Sequence, residues 1–117
     1  MFQVSPAILE SEKQNFTQKL KKAIALAGAA HIDVVDRTYA DTSTLQPEEW
    51  GAFPLRGRVS VHLMVSDPLH WLGRIDGLGI KTTISQIEDV EDWPTFESEA
   101  RRLKMDTGLA VNLETPI

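Results

Sequence analysis

Three segments of the chain have the pattern of buried β-strands that end in polar residues, and their order constrains the fold most. They are residues 31–36 (HIDVVD), 61–65 (VHLMV) and 108–112 (GLAVN), the last followed closely by Thr115 and Pro116. Each segment offers side chains that can hold a metal ion or move a proton. Apolar strands that are spaced by helical segments are typical of a parallel α/β barrel.

Predicted strands alternate with predicted helices along the whole chain. The strands are expected over residues 2–9, 32–35, 58–65, 81–88 and 108–113. Amphipathic helices are expected over residues 11–28, 68–77 and 93–103, with one or two further turns over 46–53. This order predicts a single domain over residues 1–117. Its fold class is α/β, a partial (β/α)8 TIM barrel of about five parallel strands, where a closed barrel needs eight.

The composition is that of a globular protein without cysteine chemistry. Hydrophobic residues make up 42% and charged residues 25% of the chain, as in ordinary soluble domains. The sequence has no cysteine, which excludes disulfides, a thiolate zinc site and a cysteine nucleophile. A net charge of −5 disfavours nucleic acid or an anionic membrane as a partner. No apolar run approaches the ~18 residues of a membrane span, and no signal peptide is recognisable, so we expect a cytoplasmic protein.

Two histidines and an aspartate form a candidate metal site. His31 and Asp33 lie two residues apart on one predicted strand, so their side chains point to the same face. His62 lies in the middle of the next strand. Histidine and aspartate are ligands that zinc, iron and manganese accept. Spacing alone leaves a second interpretation open, in which a buried histidine satisfies a backbone carbonyl and the aspartate caps a helix. Asp36 is expected to face away from Asp33 or to lie in the following turn.

Several other conspicuous residues are interpreted as packing or surface residues. Trp50, Trp71 and Trp93 are spread over three helical segments and are expected to pack in the core. His70 is expected at the surface or in packing, and Glu88, at the end of the fourth strand, is expected to be solvated. The sequence contains no dinucleotide-binding glycine fingerprint, no P-loop and no GxSxG motif.

Four motifs in order carry a resemblance to a known family. They are residues 6–9 (PAIL), 31–37 (HIDVVDR), 62–68 (HLMVSDP) and 108–116 (GLAVNLETP). The chain resembles the ribulose-phosphate 3-epimerase family, a (β/α)8 barrel of the ribulose-phosphate-binding type. The corresponding strands of that family have the patterns Pro-Ser-Ile-Leu, His-x-Asp-Val-Met-Asp-Gly, His-Leu-Met followed by Pro, and Gly-x-Ala-x-Asn-Pro-x-Thr-Pro. The second and third motifs are the most specific.

The resemblance implies a metal-dependent isomerase of the pentose phosphates. It implies epimerisation at C3 of a pentulose 5-phosphate, a sugar phosphate, by two acid/base carboxylates. His31, Asp33 and His62 match three of the family's four ligands to a divalent metal, which we expect to be zinc, iron or manganese. Asp33 also matches one of the two catalytic carboxylates, and Met64 matches a substrate-binding position. The second carboxylate and the phosphate-binding glycine loops come from later strands of the family's barrel.

The chain also departs from the family's motifs. Ala7 replaces the first-strand serine, Val35 the second-strand methionine, and Arg37 the glycine after the second strand. The His-x-Glu pattern of strand four becomes Gln86-Ile87-Glu88. These changes favour a rival hypothesis, a non-catalytic half-barrel that serves as a structural or binding module. A hexulose-phosphate synthase is a weaker alternative, since it shares the second-strand aspartate but not the His-Leu-Met pattern.

Five parallel strands alone leave two sheet edges and an inner face uncovered. Parallel sheets are normally buried, and open edges pair with other chains. We therefore expect the barrel to be completed, either by self-association into a homo-oligomer or by a complementary barrel chain. A longer protein of which this chain is a piece is the remaining interpretation.

Overall fold

The computed structural model describes residues 2–51 and 56–116. Strands and helices alternate in this part of the chain, as the sequence predicts. The strands are β1 Ala7–Ile8, β2 Ala30–Val35, β3 Val59–Met64, β4 Thr82–Gln86 and β5 Asp106–Ala110. The helices are α1 Lys13–Ala27, α2 Pro68–Ile75 and α3 Trp93–Arg102, with short 3-10 helices at Pro47–Glu49 and Ile87–Asp89.

The five strands form one sheet in the order β1-β2-β3-β4-β5, and every neighbouring pair is parallel. Strands that are adjacent in the chain are adjacent in the sheet, as in a TIM barrel. The α/β fold class and the partial-barrel prediction are therefore confirmed. Within the described residues, β1 and β5 form the two edges of the sheet.

The two faces of the sheet have different partners. Along β2, Ala30, Ile32 and Val34 are buried against the helix layer, whereas His31 and Asp33 lie on the opposite face and stay partly exposed. The same alternation runs along β3, because side chains of a strand point to opposite faces in turn. The hydrophobic core therefore lies between the sheet and the helices, and the other face carries the polar side chains.

Local signals in the sequence set the ends of the helices. The left-handed backbone of Gly28, with φ of 69°, ends α1, and its N–H donates to the carbonyl of Ile24. The Asp67 side chain accepts the N–H of His70 at the start of α2. Asp92 caps α3 in the same way, accepting from Thr95. No helix in residues 2–51 or 56–116 is long and apolar enough to cross a membrane.

The bounds of all five strands differ from the prediction, those of the second and third by only one or two residues. The first strand is only Ala7–Ile8, and the carbonyl of Pro6 accepts the N–H of His31 just before it. The chain before Pro6 is exposed, so its apolar composition does not reflect burial. The fourth strand ends at Gln86, where a 3-10 helix begins. The fifth strand spans Asp106–Ala110 instead of 108–113, because the N–H of Asp106 already joins the ladder at the carbonyl of Lys81.

The helical turns expected over 46–53 shorten to Pro47–Glu49, and residues 52 and 53 lie outside the described part. The tryptophan prediction is confirmed for two residues, since Trp50 and Trp71 are buried in the core. Trp93 is partly buried and packs on Phe96. His70 is exposed on α2, as expected for a surface position.

Candidate metal centre

Neighbouring strands bring His31, Asp33 and His62 together. Asp33 and His62 lie directly opposite each other in the parallel ladder between β2 and β3. The Oδ1 atom of Asp33 lies 3.2 Å from Nε2 of His31 and 3.6 Å from Nδ1 of His62. Each of the three side chains is partly buried, with an exposed fraction of 20–21%. The cluster that the spacing predicted therefore forms on the face of the sheet away from the helices.

The geometry of the three side chains fits a divalent cation. One ligand atom from each residue can be chosen so that all lie within 4.8 Å of one another. In a tetrahedral zinc site with bonds of about 2.0–2.2 Å, ligand atoms lie roughly 3.3–3.5 Å apart. The separations from Asp33 Oδ1 are close to that value. Two imidazoles and a carboxylate are also a donor set that zinc, iron and manganese share.

Polar side chains hold the outer nitrogens of both imidazoles. Nδ1 of His31 lies 2.8 Å from the Ser60 hydroxyl on β3. Nε2 of His62 lies 2.7 Å from Oε1 of Gln86 at the end of β4. Gln86 in turn donates from Nε2 to Oδ1 of Asn112, at 2.7 Å. Such outer contacts fix the orientation of metal-binding histidines.

The contribution of Gln86 and Asn112 to the cluster is not evident from the sequence. Gln86 lies two residues beyond Ile84, which is opposite His62, so Gln86 shares the face of the cluster. That position could be found only with the register of β4 in hand. Asn112 lies two residues beyond Ala110, which is opposite Gln86, so the alternation of side chains places Asn112 on the same face.

Glu88 has a structural role that the sequence analysis did not anticipate. Its Oε1 accepts the backbone N–H of Asn112 at 2.8 Å and the hydroxyl of Thr115 at 2.6 Å. The Thr115 hydroxyl and the Asn112 N–H favour the charged carboxylate and lower the pKa of Glu88. The carboxylate thereby joins the end of β4 to the chain that follows β5.

Asp36 lies in the turn after β2, one of the two positions expected for it, and it is not part of the cluster. Its carboxylate accepts hydrogen bonds from Thr38 and from the N–H of Ser66. Asp89, in the 3-10 helix after β4, contrasts with it. Burial and the nearby charge of Asp36 raise the pKa of Asp89, and its Oδ2 atom is buried without a hydrogen bond from the described residues.

Met64 lies on the same face as His62, two residues further along β3. It stands opposite Val35 of β2 and is partly exposed. The structure thus places it beyond the cluster, toward the carboxyl end of the strands, where barrel enzymes bind their substrates. Its role in substrate binding stays a prediction.

Comparison with known proteins gives a family match. The chain matches the model of the ribulose-phosphate 3-epimerase family over residues 3–117, nearly its whole length. No curated protein sequence matches the chain closely enough to serve as a relative. The matched region contains all four strand motifs and the three side chains of the cluster.

Proposed function

The chain belongs to the ribulose-phosphate 3-epimerase family, and from this premise we propose that it forms the metal-binding part of an enzyme that epimerises C3 of a pentulose 5-phosphate. The observation that carries the proposal is the convergence of His31, Asp33 and His62 on one point of the sheet. The chain keeps all three of these residues, although it departs from the family's motifs at neighbouring positions. We also keep a cytoplasmic location as a prediction.

His31, Asp33 and His62 would hold the divalent cation. Bound there, zinc, iron or manganese supplies positive charge that stabilises an oxyanion developing on the substrate. Ser60 and Gln86 orient the two imidazoles from the outside, so the donor atoms need little rearrangement to bind the cation.

Asp33 is the proposed acid/base residue of this chain. Its carboxylate is partly exposed, and β2 and β3 hold it at the centre of the cluster. A positioned carboxylate can take a proton from a carbon next to a carbonyl group, provided the developing charge is stabilised nearby. Met64, on the same face, is proposed to contact the sugar phosphate beyond the cluster.

The remaining ligand and the second carboxylate would have to come from further strands. We propose that a second copy of the chain covers the open sheet, and two features of the sheet support this. All five strands are parallel, so a two-fold axis along them brings the β5 edge of one copy beside the β1 edge of the other. Four strands from each copy would make up the eight of a closed barrel, with β5 covering the seam. Leu109 and Val111 near that edge are 48% and 42% exposed.

A non-catalytic half-barrel is the second candidate function. The substitutions at Ala7, Val35 and Arg37 favour it, since they alter three positions of the family's first two motifs. This candidate predicts that the purified chain neither binds metal at the cluster nor exchanges the C3 proton of a pentulose phosphate in any assembly.

The experiment that tests the proposal compares two histidine variants. The wild-type chain, His62→Ala and His70→Ala are purified, loaded with Zn²⁺ or Mn²⁺, dialysed and analysed for metal by mass spectrometry. His70 is exposed on α2 and outside the cluster, which makes it the matched control. We expect about one ion per chain in the wild type and in His70→Ala, and loss of the ion in His62→Ala.

The catalytic half of the proposal is tested by proton exchange. The loaded chain is incubated with a pentulose 5-phosphate in D₂O, and the C3 proton is followed by NMR. We expect exchange in the wild type and none in Asp33→Asn. Unchanged metal content in His62→Ala would remove the metal site, and a wild-type chain that neither binds metal nor exchanges the C3 proton would favour the non-catalytic half-barrel.

A further inference from the structure

We propose that Gln86 is a positioning residue that fixes the tautomer of His62, so that Nε2 carries the proton and the lone pair of Nδ1 faces Asp33. The inference rests on the proposed function for its purpose, because a lone pair on Nδ1 is what a metal ligand needs. The assignment of the tautomer itself follows from the geometry around His62 and does not depend on that function. That geometry is the unbroken polar chain from His62 through Gln86 to Asn112.

The orientation of the Gln86 amide follows from Asn112. Gln86 Nε2 lies 2.7 Å from Oδ1 of Asn112, an atom that only accepts hydrogen bonds. With Oδ1 of Asn112 facing Gln86, the amide nitrogen of Gln86 points toward Asn112 and its amide oxygen toward His62. Gln86 is only 7% exposed, so water has little access to compete for either end of the amide.

The orientation of the amide sets the tautomer of His62. Oε1 of Gln86 is an acceptor, and it lies 2.7 Å from Nε2 of His62. Nε2 must then donate, and in a neutral imidazole the other nitrogen keeps its lone pair. That nitrogen, Nδ1, is the one 3.6 Å from Asp33 Oδ1. A lone pair and a carboxylate facing each other repel unless a cation or a proton lies between them.

Asn112 is itself held in place from the other side. Its backbone N–H donates to Glu88, which also accepts from Thr115. The segment after β5 is thus tied to the end of β4, and the Asn112 side chain stays within reach of Gln86.

His31 provides an internal comparison. Its Nδ1 contacts the hydroxyl of Ser60 at 2.8 Å. A hydroxyl both donates and accepts, so it does not dictate which nitrogen of His31 carries the proton. The structure therefore assigns a fixed tautomer to His62 and leaves that of His31 to be set by what binds there.

The first test is NMR on the metal-free 117-residue chain with ¹⁵N-labelled histidine at pH 8. Long-range ¹H–¹⁵N correlations report which nitrogen of each ring carries the proton. We expect His62 to be the Nε2–H tautomer in the wild type and in Gln86→Glu, which keeps an acceptor oxygen. A mixture of tautomers is expected in Gln86→Met. Gln18→Met, an exposed glutamine on α1, is the matched control and should leave the spectrum unchanged.

A second variant covers the case in which Gln86→Met does not fold. Asn112 is exposed, and Asn112→Leu removes the acceptor that orients the amide without touching His62. This variant should also give a mixture of tautomers. A wild-type His62 with the proton on Nδ1 would overturn the inference, and so would an unchanged tautomer in both Gln86→Met and Asn112→Leu.

The second test is a titration of the same proteins with Zn²⁺. We expect Gln86→Met to bind about 10- to 100-fold more weakly than the wild type, as when other outer partners of metal ligands are lost. Gln86→Glu should bind at least as tightly as the wild type. If the wild-type chain binds no Zn²⁺ while the tautomer results hold, the proposed function fails and the role of Gln86 stands. If Zn²⁺ binds and Gln86→Met binds it equally well, the positioning role fails alone.

Discussion

The carboxylate of Asp36 accepts a hydrogen bond at 2.9 Å from the backbone N–H of Ser66, thirty residues further along the chain. The contact joins the loop after β2 to the loop after β3, directly beyond the strands that carry the cluster. Burial works against ionisation here, but the hydrogen bonds from Thr38 and Ser66 outweigh it and lower the pKa of Asp36 below its ordinary value of 3.8.

Asp36→Asn should therefore destabilise the protein in a pH-dependent way. A carboxyl with a lower pKa in the folded state contributes stability that is complete above the unfolded value of 3.8 and is lost as the pH falls through the folded value. We expect Asn to cost about 1 kcal/mol at pH 6, with the difference from the wild type shrinking as the pH falls below 3.8. Urea titrations at several pH values measure this, and a difference that does not vary with pH would contradict it.

Asp89→Asn should have the opposite effect. Burial and the charge of Asp36 raise the pKa of Asp89 above 3.8, so its ionised form lowers stability at neutral pH. This cost is complete above the folded pKa and disappears as the pH falls below the unfolded value. We expect Asn to raise the free energy of unfolding by roughly 0.5–1 kcal/mol at pH 7, with no gain at pH 3. Asp41→Asn, on the exposed loop after β2, is the control and should change little.

Trp50→Ala should be among the most destabilising substitutions. The Trp50 ring is 1% exposed, stacks on Phe16 at 5.8 Å between centroids and donates from Nε1 to the carbonyl of Leu45. Its loss leaves a large cavity and should cost about 3–5 kcal/mol. The partly exposed Trp93 provides the comparison, and Trp93→Ala should cost roughly 1–2 kcal/mol. Equal urea midpoints for the two variants would show that Trp50 does not anchor the core.

Two glycines near the start of β4 should respond differently to alanine. Gly77 and Gly79 both have positive φ, of 81° and 78°. A Cβ on Gly77 meets open space, whereas one on Gly79 would lie 3.0 Å from the Cα atom of Arg56. Gly77→Ala should cost about 1–2 kcal/mol for the backbone conformation alone, and Gly79→Ala should cost clearly more. Thermal melts of the pair measure the difference, and equal melting temperatures would mean that the segment at Arg56 yields freely.

Self-association should depend on the edge of the sheet at β5. Leu109 is 48% exposed on this strand, and Leu26 is 77% exposed on α1. By native mass spectrometry, we expect a dimer for the wild type and for Leu26→Lys, and a monomer for Leu109→Lys, since a charge blocks strand addition at an open edge. A monomeric wild type, or a dimer that survives Leu109→Lys, would contradict the two-copy arrangement. A co-purifying second chain would assign the edge to a different partner.

The sequence was sufficient where a local rule decides the outcome. His31 and Asp33 share a face because strands alternate with a period of two, whatever else surrounds them. Gly28, Asp67 and Asp92 mark helix ends because their backbone or side chains satisfy the terminal groups of a helix.

Prediction from sequence failed where partners distant in the chain decide. The short β1 depends on how Pro6 meets His31, and the start of β5 depends on Asp106 meeting Lys81. The contact of Gln86 with His62 depends on the register between β3 and β4, which no local pattern encodes. The sequence therefore predicted the three residues that could bind a metal. The side chains that orient them could be identified only from the pairing of the strands in the sheet.

The direct opposition of Asp33 and His62 in one ladder has a consequence for how such barrels can be divided. All three donors come from β2 and β3, which are neighbours both in the chain and in the sheet, so their arrangement does not depend on ring closure. A cut, fusion or exchange of barrel halves after β3 would carry the three donors but leave behind Gln86 and Asn112, which orient His62. The same exchange made beyond Asn112 would transfer the donors together with the side chains that orient them.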